Sequence, residues 1–356
     1  MNKLLSVLVI ERLGSRVASG VLYDSAERHS PPKCHPHTRE VVLKRIMEWV
    51  DDPNNRGHIM WITGAPGVGK SAIAETLAEM YLKADKLAAC CFFSRTSTGR
   101  TSGNVDNFVT TLAYQLFHAI PEIQGSIEKL LQTDPSVLDK AVSHQIHALI
   151  IKPLNNAVIA TKADKHQVLE SRPRIVIVDA IDECPDLTQL GRQLLLEKLV
   201  DLSKYLLFPL IFLVTSRRER NIQAAFDAEQ LHSLTTCLDL DEHNANSDIE
   251  LFLQSKFPEI KQSHPAGYAL PTPWPSKEQI DVLVQRSAGQ FRYATTVIDF
   301  VGSLHYPPLY RLNIVLKPLV GPEISSSPLE ALQLQISAAN KKHSKTSWFS
   351  LSNLEN

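Results

Sequence analysis

The chain has 356 residues, 44% hydrophobic and 21% charged, enough for one large or two modest globular domains with a sizeable core. Its 37 lysines and arginines nearly balance 38 aspartates and glutamates, and the net charge of -1 gives no global pull toward nucleic acid or an anionic membrane surface. Five cysteines, odd in number and scattered at positions 34, 90, 91, 184 and 237, fit a reduced cytoplasmic chain better than a disulfide framework.

In chain order, Lys3 and the apolar run at 4–10 imitate a signal peptide, but the run stops at Glu11 and Arg12 with no small-residue cleavage site. No apolar run approaches the roughly 20 residues needed to span a bilayer, so no membrane partner is expected. Residues 1–33 are polar and mixed, and read as an exposed lead-in. Cys34, His35 and His37 crowd around a proline with no second ligand pair, and read as a loop rather than a zinc site. From Thr38 a helical period puts Val42, Ile46, Trp49 and Val50 on one face, ending at residues 51–55 (DDPNN).

Apolar runs at 58–63, 87–93, 175–178, 210–215 and 234–240 then alternate with helix formers at 71–82, 105–160 and 187–206, and a polar Gly/Ser/Thr loop runs through Asn104. Strands separated by helices imply crossovers that cover both faces of a parallel sheet. The expected fold is α/β, with a five-stranded, mainly parallel sheet flanked by helices. Beyond about residue 243 the strand signal ends. Helical patterns at 247–257, 276–287, 291–301 and 309–316, broken by a proline-rich loop at 265–275, predict a small all-helical domain. The Ser/Lys/Asn-rich residues 321–356 predict a disordered tail.

Residues 64–71 read GAPGVGKS and fit G-x-x-x-x-G-K-[ST], directly after a strand and opening a helix, which is the context this phosphate-binding motif requires. A random chain of this length matches on the order of one time in a hundred, and the flanking pattern lowers that further. The glycines permit torsions closed to other residues, so that successive N–H groups can point at phosphate oxygens. The helix start adds its positive dipole end, Lys70 an ammonium for the β- and γ-phosphates, and Ser71 a hydroxyl for Mg2+. The expected nucleotide-binding set is Gly64, Ala65, Pro66, Gly67, Val68, Gly69, Lys70, Ser71 and Ala72.

Such a site needs an aspartate at the end of a second strand to hold Mg2+, and Asp179 follows the apolar run 175–178. Asp182 and Glu183 are candidates for orienting and deprotonating an attacking water; the alternative is that either caps the next helix or pairs with a base. Arg217, at the end of the fourth run, is placed to report on a γ-phosphate, unless Arg217, Arg218 and Arg220 form a solvated basic face.

These residues resemble the NACHT branch of signal-transducing P-loop NTPases, in particular fungal proteins with a nephrocystin-3-like N-terminal domain. The resemblance rests on residues 34–39 (CHPHTR), 64–71, 91–95 (CFFSR), 111–116 (TLAYQL), 178–184 (VDAIDEC), 215–217 (TSR) and 287–294 (SAGQFRYA), over roughly residues 20–320. Ala180, small and directly after the metal aspartate, is its most diagnostic position. The resemblance implies a switch in which ADP holds a closed state and ATP exchange opens an assembling one, with helices after 243 folding over the nucleotide. It implies Mg2+ and ATP or ADP as ligands, slow hydrolysis, and a homo-oligomer or a second NACHT-type protein as partner. GTP stands as an alternative, because no N-K-x-D-like base reader is visible. The competing reading is a nucleotide-binding scaffold or truncated member without turnover, since effector and sensor-repeat modules are not expected in this chain. The expected organisation is a lead-in at 1–33, a NACHT domain at 34–243, a helical domain at 244–320 and a tail at 321–356.

Overall fold

A computed structural model describes residues 10–28, 30–52, 58–94, 105–160, 172–184, 189–317 and 327–351. The signal-like run at 4–9, the polar loop at 95–104 with Arg95, and residues 321–326 and 352–356 of the expected tail lie outside the described residues. The chain divides into two compact units, one of residues Met1–Cys34, Val41–Gly64 and Lys70–Leu240, the other of His35–Glu40, Ala65–Gly69 and Asp241–Asn356.

The first unit is built on five strands, β1 (Ile59–Thr63), β2 (Leu87–Phe92), β3 (Ile175–Asp179), β4 (Ile211–Ser216) and β5 (Thr235–Asp239). They form one sheet in the order β2-β3-β4-β1-β5, with every pairing parallel. The apolar runs that announce the strands are continuous rather than alternating, as strands covered on both faces require. Every residue of β1, β3 and β4 is buried, whereas the edge strand β5, richer in threonine, is mostly half-buried. Pairing puts Thr63 opposite Ser216 and Asp239, and Phe92 opposite Asp179, so the polar ends of the strands share one edge. In open parallel sheets that carboxyl edge is where ligands bind.

Helices pack on both faces: α1 (Glu40–Asp51), α2 (Lys70–Lys83), α3 (Val105–Ala119), α4 (Gln124–Thr133), α5 (Val142–Ile146), α6 (Lys152–Ala160), α7 (Gln189–Tyr205), α8 (Arg220–Asp227) and α9 (Glu229–His232). Helices α5 and α6 are joined without a break by a π-helical turn at His147–Ile151, whose Leu149, Ile150 and Ile151 are buried. Trp61 of β1 stacks on Phe226 of α8 with centroids 4.4 Å apart, and its indole N–H donates to Ser216 Oγ at 2.8 Å.

The described part of the lead-in is anchored to the first unit, although many of its residues are exposed. Leu13, Ala18 and Val21 enter the core of the first unit. Ala18 N–H donates to Thr111 Oγ1 at 3.0 Å and Thr110 Oγ1 donates to Arg16 O at 2.9 Å, tying the segment to α3. Further on it crosses α2, where Arg28 pairs with buried Glu75 at 2.6 Å and Cys34 N–H donates to Thr76 Oγ1 at 3.0 Å. Three apolar anchors spread over nine positions follow neither a 3.6 nor a 2.0 period, so composition hides them.

The second unit is helical: α10 (Asn246–Ser263), α11 (Lys277–Ser287), α12 (Phe291–Gly302), α13 (Pro308–Leu316) and α14 (Pro328–Leu351). Its core includes Phe257, Leu283, Val297, Val301, Leu312 and Val315. At the start of α11 the Ser276 hydroxyl accepts the Gln279 N–H while the Gln279 side chain accepts the Ser276 N–H, a reciprocal cap worth about 1 kcal/mol. Trp274, from the proline-rich loop, packs edge-on to Phe257 at 5.3 Å.

The tail expectation is corrected here as well. Residues Pro328–Leu351 are helical, and Leu332 is buried in the core of the helical unit with Ile336 and Ala339 packed against it. Burying one leucine is worth about 1.5–3 kcal/mol. That sparse apolar stripe outweighs the polar composition on which the expectation of disorder rested. Among the described residues no helix is long and apolar enough to cross a membrane.

Candidate functional site

In the first unit, β1 runs out at Thr63, Gly64 follows, and α2 starts at Lys70. Lys70 reaches back so that its ammonium donates to Gly64 O at 2.7 Å. Ser71, the next residue of α2, has its hydroxyl close enough to the Asp179 carboxylate to favour the ionised form. The two residues expected to hold Mg2+ are thus brought together from β3 and α2. Ala72, one position on, accepts the Thr76 hydroxyl through its carbonyl at 2.8 Å.

Asp179 is buried at the end of β3 and its Oδ1 accepts the Thr215 hydroxyl at 2.5 Å. Burial raises its pKa to about 6; the hydroxyls of Thr215 and Ser71 and the charges of Arg28 and Lys70 pull the other way. Thr215 Oγ1 also accepts the Ala180 N–H at 2.8 Å, so one hydroxyl of β4 orients the carboxylate and the turn after it.

That turn is left-handed at Ala180, with φ 57° and ψ 52°, before a short 3-10 turn over Ile181–Glu183. The small side chain expected at this position has a second reason: a left-handed conformation costs an L-residue roughly 1–2 kcal/mol, and more for a bulky one. Ala180→Gly is expected to raise the melting temperature by a few degrees and Ala180→Val to lower it, measured by calorimetry. A stabilised valine variant contradicts the account.

Asp182 and Glu183 converge on Arg217. Buried Asp182 accepts the Arg217 backbone N–H at 3.0 Å through Oδ1, and its Oδ2 lies 3.2 Å from Arg217 Nε. Glu183 Oε1 lies 3.0 Å from Arg217 Nη2, with about a quarter of its side chain exposed. The structure therefore brings the three expected catalytic residues into one ion cluster beyond Asp179. Arg218 and Arg220 are exposed, as a solvated basic face requires, and Arg218 pairs with Asp239 at the end of β5 at 2.9 Å.

Within the second unit, the loop Ala65–Gly69 is held by its own neighbours. Gly67 and Gly69 have φ of 81° and 106°. A Cβ on Gly67 would stand 2.7 Å from Arg292 Cβ, so glycine is required there twice over, by torsion and by space. Ala65 N–H donates to both Asp241 oxygens at 3.0 Å, Arg292 N–H donates to Gly67 O at 3.1 Å, and Arg39 Nη2 donates to Val68 O at 2.7 Å. Pro66 is exposed and the Val68 side chain is buried.

Thr215, Arg39, Asp241 and Arg292 were not legible as site residues. The polar triplet after the fourth apolar run was the one signal for Thr215, and the strings CHPHTR and SAGQFRYA carried Arg39 and Arg292 only as part of a resemblance.

A five-stranded all-parallel sheet flanked by helices, with a buried aspartate at the end of β3, is the α/β class of the P-loop fold. A family model described as Nephrocystin 3, N-terminal matches residues 37–217, just over half of the chain, and the chain belongs to that family. Among solved structures it is similar to one described as "Structure of C. elegans PCH-2", at 14% identity over 85% of this chain and 67% of that one, with a TM-score of 0.36. No curated protein matches the chain significantly.

Proposed function

We propose that the chain binds ATP or ADP with Mg2+ and hydrolyses ATP slowly, as a signalling or assembly switch of the NACHT kind. The observation that carries this reading is the meeting of Ser71 and Asp179 one residue beyond Lys70. A hydroxyl and a buried carboxylate are the oxygen donors Mg2+ favours, and an ammonium resting on a backbone carbonyl needs little to move to a phosphate. The donor set fits the metal: Ser71 and Asp179 would hold it, and the ion would neutralise charge on the terminal phosphates.

Of the two later acids, we assign the proton-accepting role to Glu183 and a positioning role to Asp182. Buried Asp182 accepts the backbone N–H of Arg217 and lies beside its Nε, whereas Glu183 lies beside the outer guanidinium nitrogen and keeps about a quarter of its side chain exposed. A phosphate oxygen competes with Glu183 for that edge, and the competition releases Glu183 toward water while Arg217 turns to the phosphate.

Single-turnover hydrolysis with Mg2+ and ATP tests the assignment. Glu183→Gln is expected to slow turnover by about 100-fold or more with ATP binding retained, the lower end of what a general base contributes. Asp182→Asn is expected to lower the melting temperature as well, since Arg217 loses a buried partner. Wild-type rates in both variants would sink the catalytic assignment.

A second reading, a nucleotide-holding scaffold without useful turnover, is favoured by the engagement of both acids with Arg217. It predicts that ADP raises the melting temperature by mass action while hydrolysis stays at background.

A further inference from the structure

Arg39 is buried, at 3% relative exposure, and adopts a left-handed backbone with φ 58°. A buried arginine in a conformation that L-residues avoid persists only where its surroundings hold it, and such residues cluster at functional sites. Here Asp248 Oδ2 accepts its backbone N–H at 3.1 Å, and its guanidinium lies 5.2 Å from the centre of the Phe291 ring. The side chain donates through Nη2 to the Val68 carbonyl at 2.7 Å, and the neighbouring Gly67 carbonyl accepts the Arg292 N–H at 3.1 Å.

The consequence follows from peptide geometry. A trans peptide is planar, with its C=O and N–H pointing opposite ways. Pinning Val68 O to Arg39 therefore turns the Gly69 N–H to the other side, whereas the Val68 N–H is hydrogen-bonded within the loop, to Ala65 O at 3.4 Å. Successive amides turned to one side form an anion-binding concavity, but only while the peptide planes stay put. The glycine torsions that permit this arrangement permit others as well, so the loop needs an outside group to select it.

We propose that Arg39 is a positioning residue of the phosphate loop: through the Val68 carbonyl it sets the Gly69 amide to face bound phosphates, without itself touching the nucleotide. The proposal rests on the nucleotide reading above. The probes are ADP and inorganic tripolyphosphate, each with Mg2+, titrated calorimetrically into the 356-residue chain and its Arg39→Ala and Arg39→Lys variants at about 0.1 M and about 0.5 M salt.

Arg39→Ala is expected to weaken both probes by about 10- to 100-fold, the range for losing a group that orients a ligand-holding one. The loss persists at the higher salt, because orientation is not screened. Arg39→Lys, which keeps the charge but not the planar fork, falls between alanine and wild type, and carries the test if the alanine variant does not fold. Three results overturn the proposal: unchanged affinities with only a lower melting temperature, a loss confined to ADP, which places Arg39 on the nucleoside, or a loss that vanishes at high salt, which makes it a diffuse charge. Failure of the wild type to bind either probe overturns the nucleotide reading itself, and this proposal with it.

Discussion

Lys70→Ala is expected to weaken ATP binding by about 10- to 100-fold, the effect of removing a hydrogen bond of about 1.5–3 kcal/mol to a charged group. The basis is local. Lys70 is the first residue of α2, is half-buried, and donates through its ammonium to Gly64 O. Losing that internal bond costs the protein little, since the carbonyl can be solvated, so the variant's own melting temperature should stay within a few degrees of wild type. The informative comparison is the nucleotide that co-purifies, with its stoichiometry, for the two proteins. Wild type retaining nucleotide and the variant losing it supports the reading. Equal occupancy removes Lys70 from the site and leaves the motif as a strand-to-helix turn.

The second large effect is on pH. Asp179 is buried, with its pKa raised from 3.8 to about 6. Between about pH 4 and 6 the unfolded chain has released this proton and the native state still binds it, so native stability falls as pH rises through that window. A shift of about 2 units corresponds to about 3 kcal/mol, fully lost above pH 6 in the absence of a bound cation. Asp179→Asn keeps the shape without the charge. It is expected to match wild type near pH 4 and to exceed it by a few degrees in melting temperature near pH 7.5. Binding runs the other way: Mg2+-dependent ADP binding by wild type weakens as pH falls through about 6, and the asparagine variant no longer responds to Mg2+. Parallel melting curves for the two proteins between pH 4 and 8 contradict the burial account.

The two variants probe different layers of the site. Lys70 is set by the order of residues in one short segment, whereas Asp179 owes its altered acidity to β2 and β4 on either side of it and to the Thr215 hydroxyl. The first kind of property survives transfer of a motif to another chain. The second does not, because desolvation belongs to the surroundings rather than to the carboxylate.

Legibility in the sequence follows the same division. The strands could be read because a parallel strand covered on both faces must be a short continuous apolar run, and 58–63, 175–178 and 210–215 are such runs. The packed lead-in and the helix from Pro328 were misread because three or four apolar contacts decide their fate, too few to shift a composition. Asp182 and Glu183 could not be separated by sequence, since their distinction is a matter of which edge of Arg217 each meets.

By itself the sequence determined the α/β alternation, the glycine loop at 64–71 and the strand-end aspartate, because each depends on residues adjacent along the chain and on backbone torsions only glycine reaches easily. The tertiary structure alone decided that Ser71 meets Asp179, that Thr215 holds both Asp179 and the left-handed turn at Ala180, and that Arg39 and Arg292 pin the loop carbonyls. Those pairs lie tens to hundreds of residues apart in sequence. A hydrogen bond extends only about 3 Å, so chain folding alone sets which distant groups come within its reach.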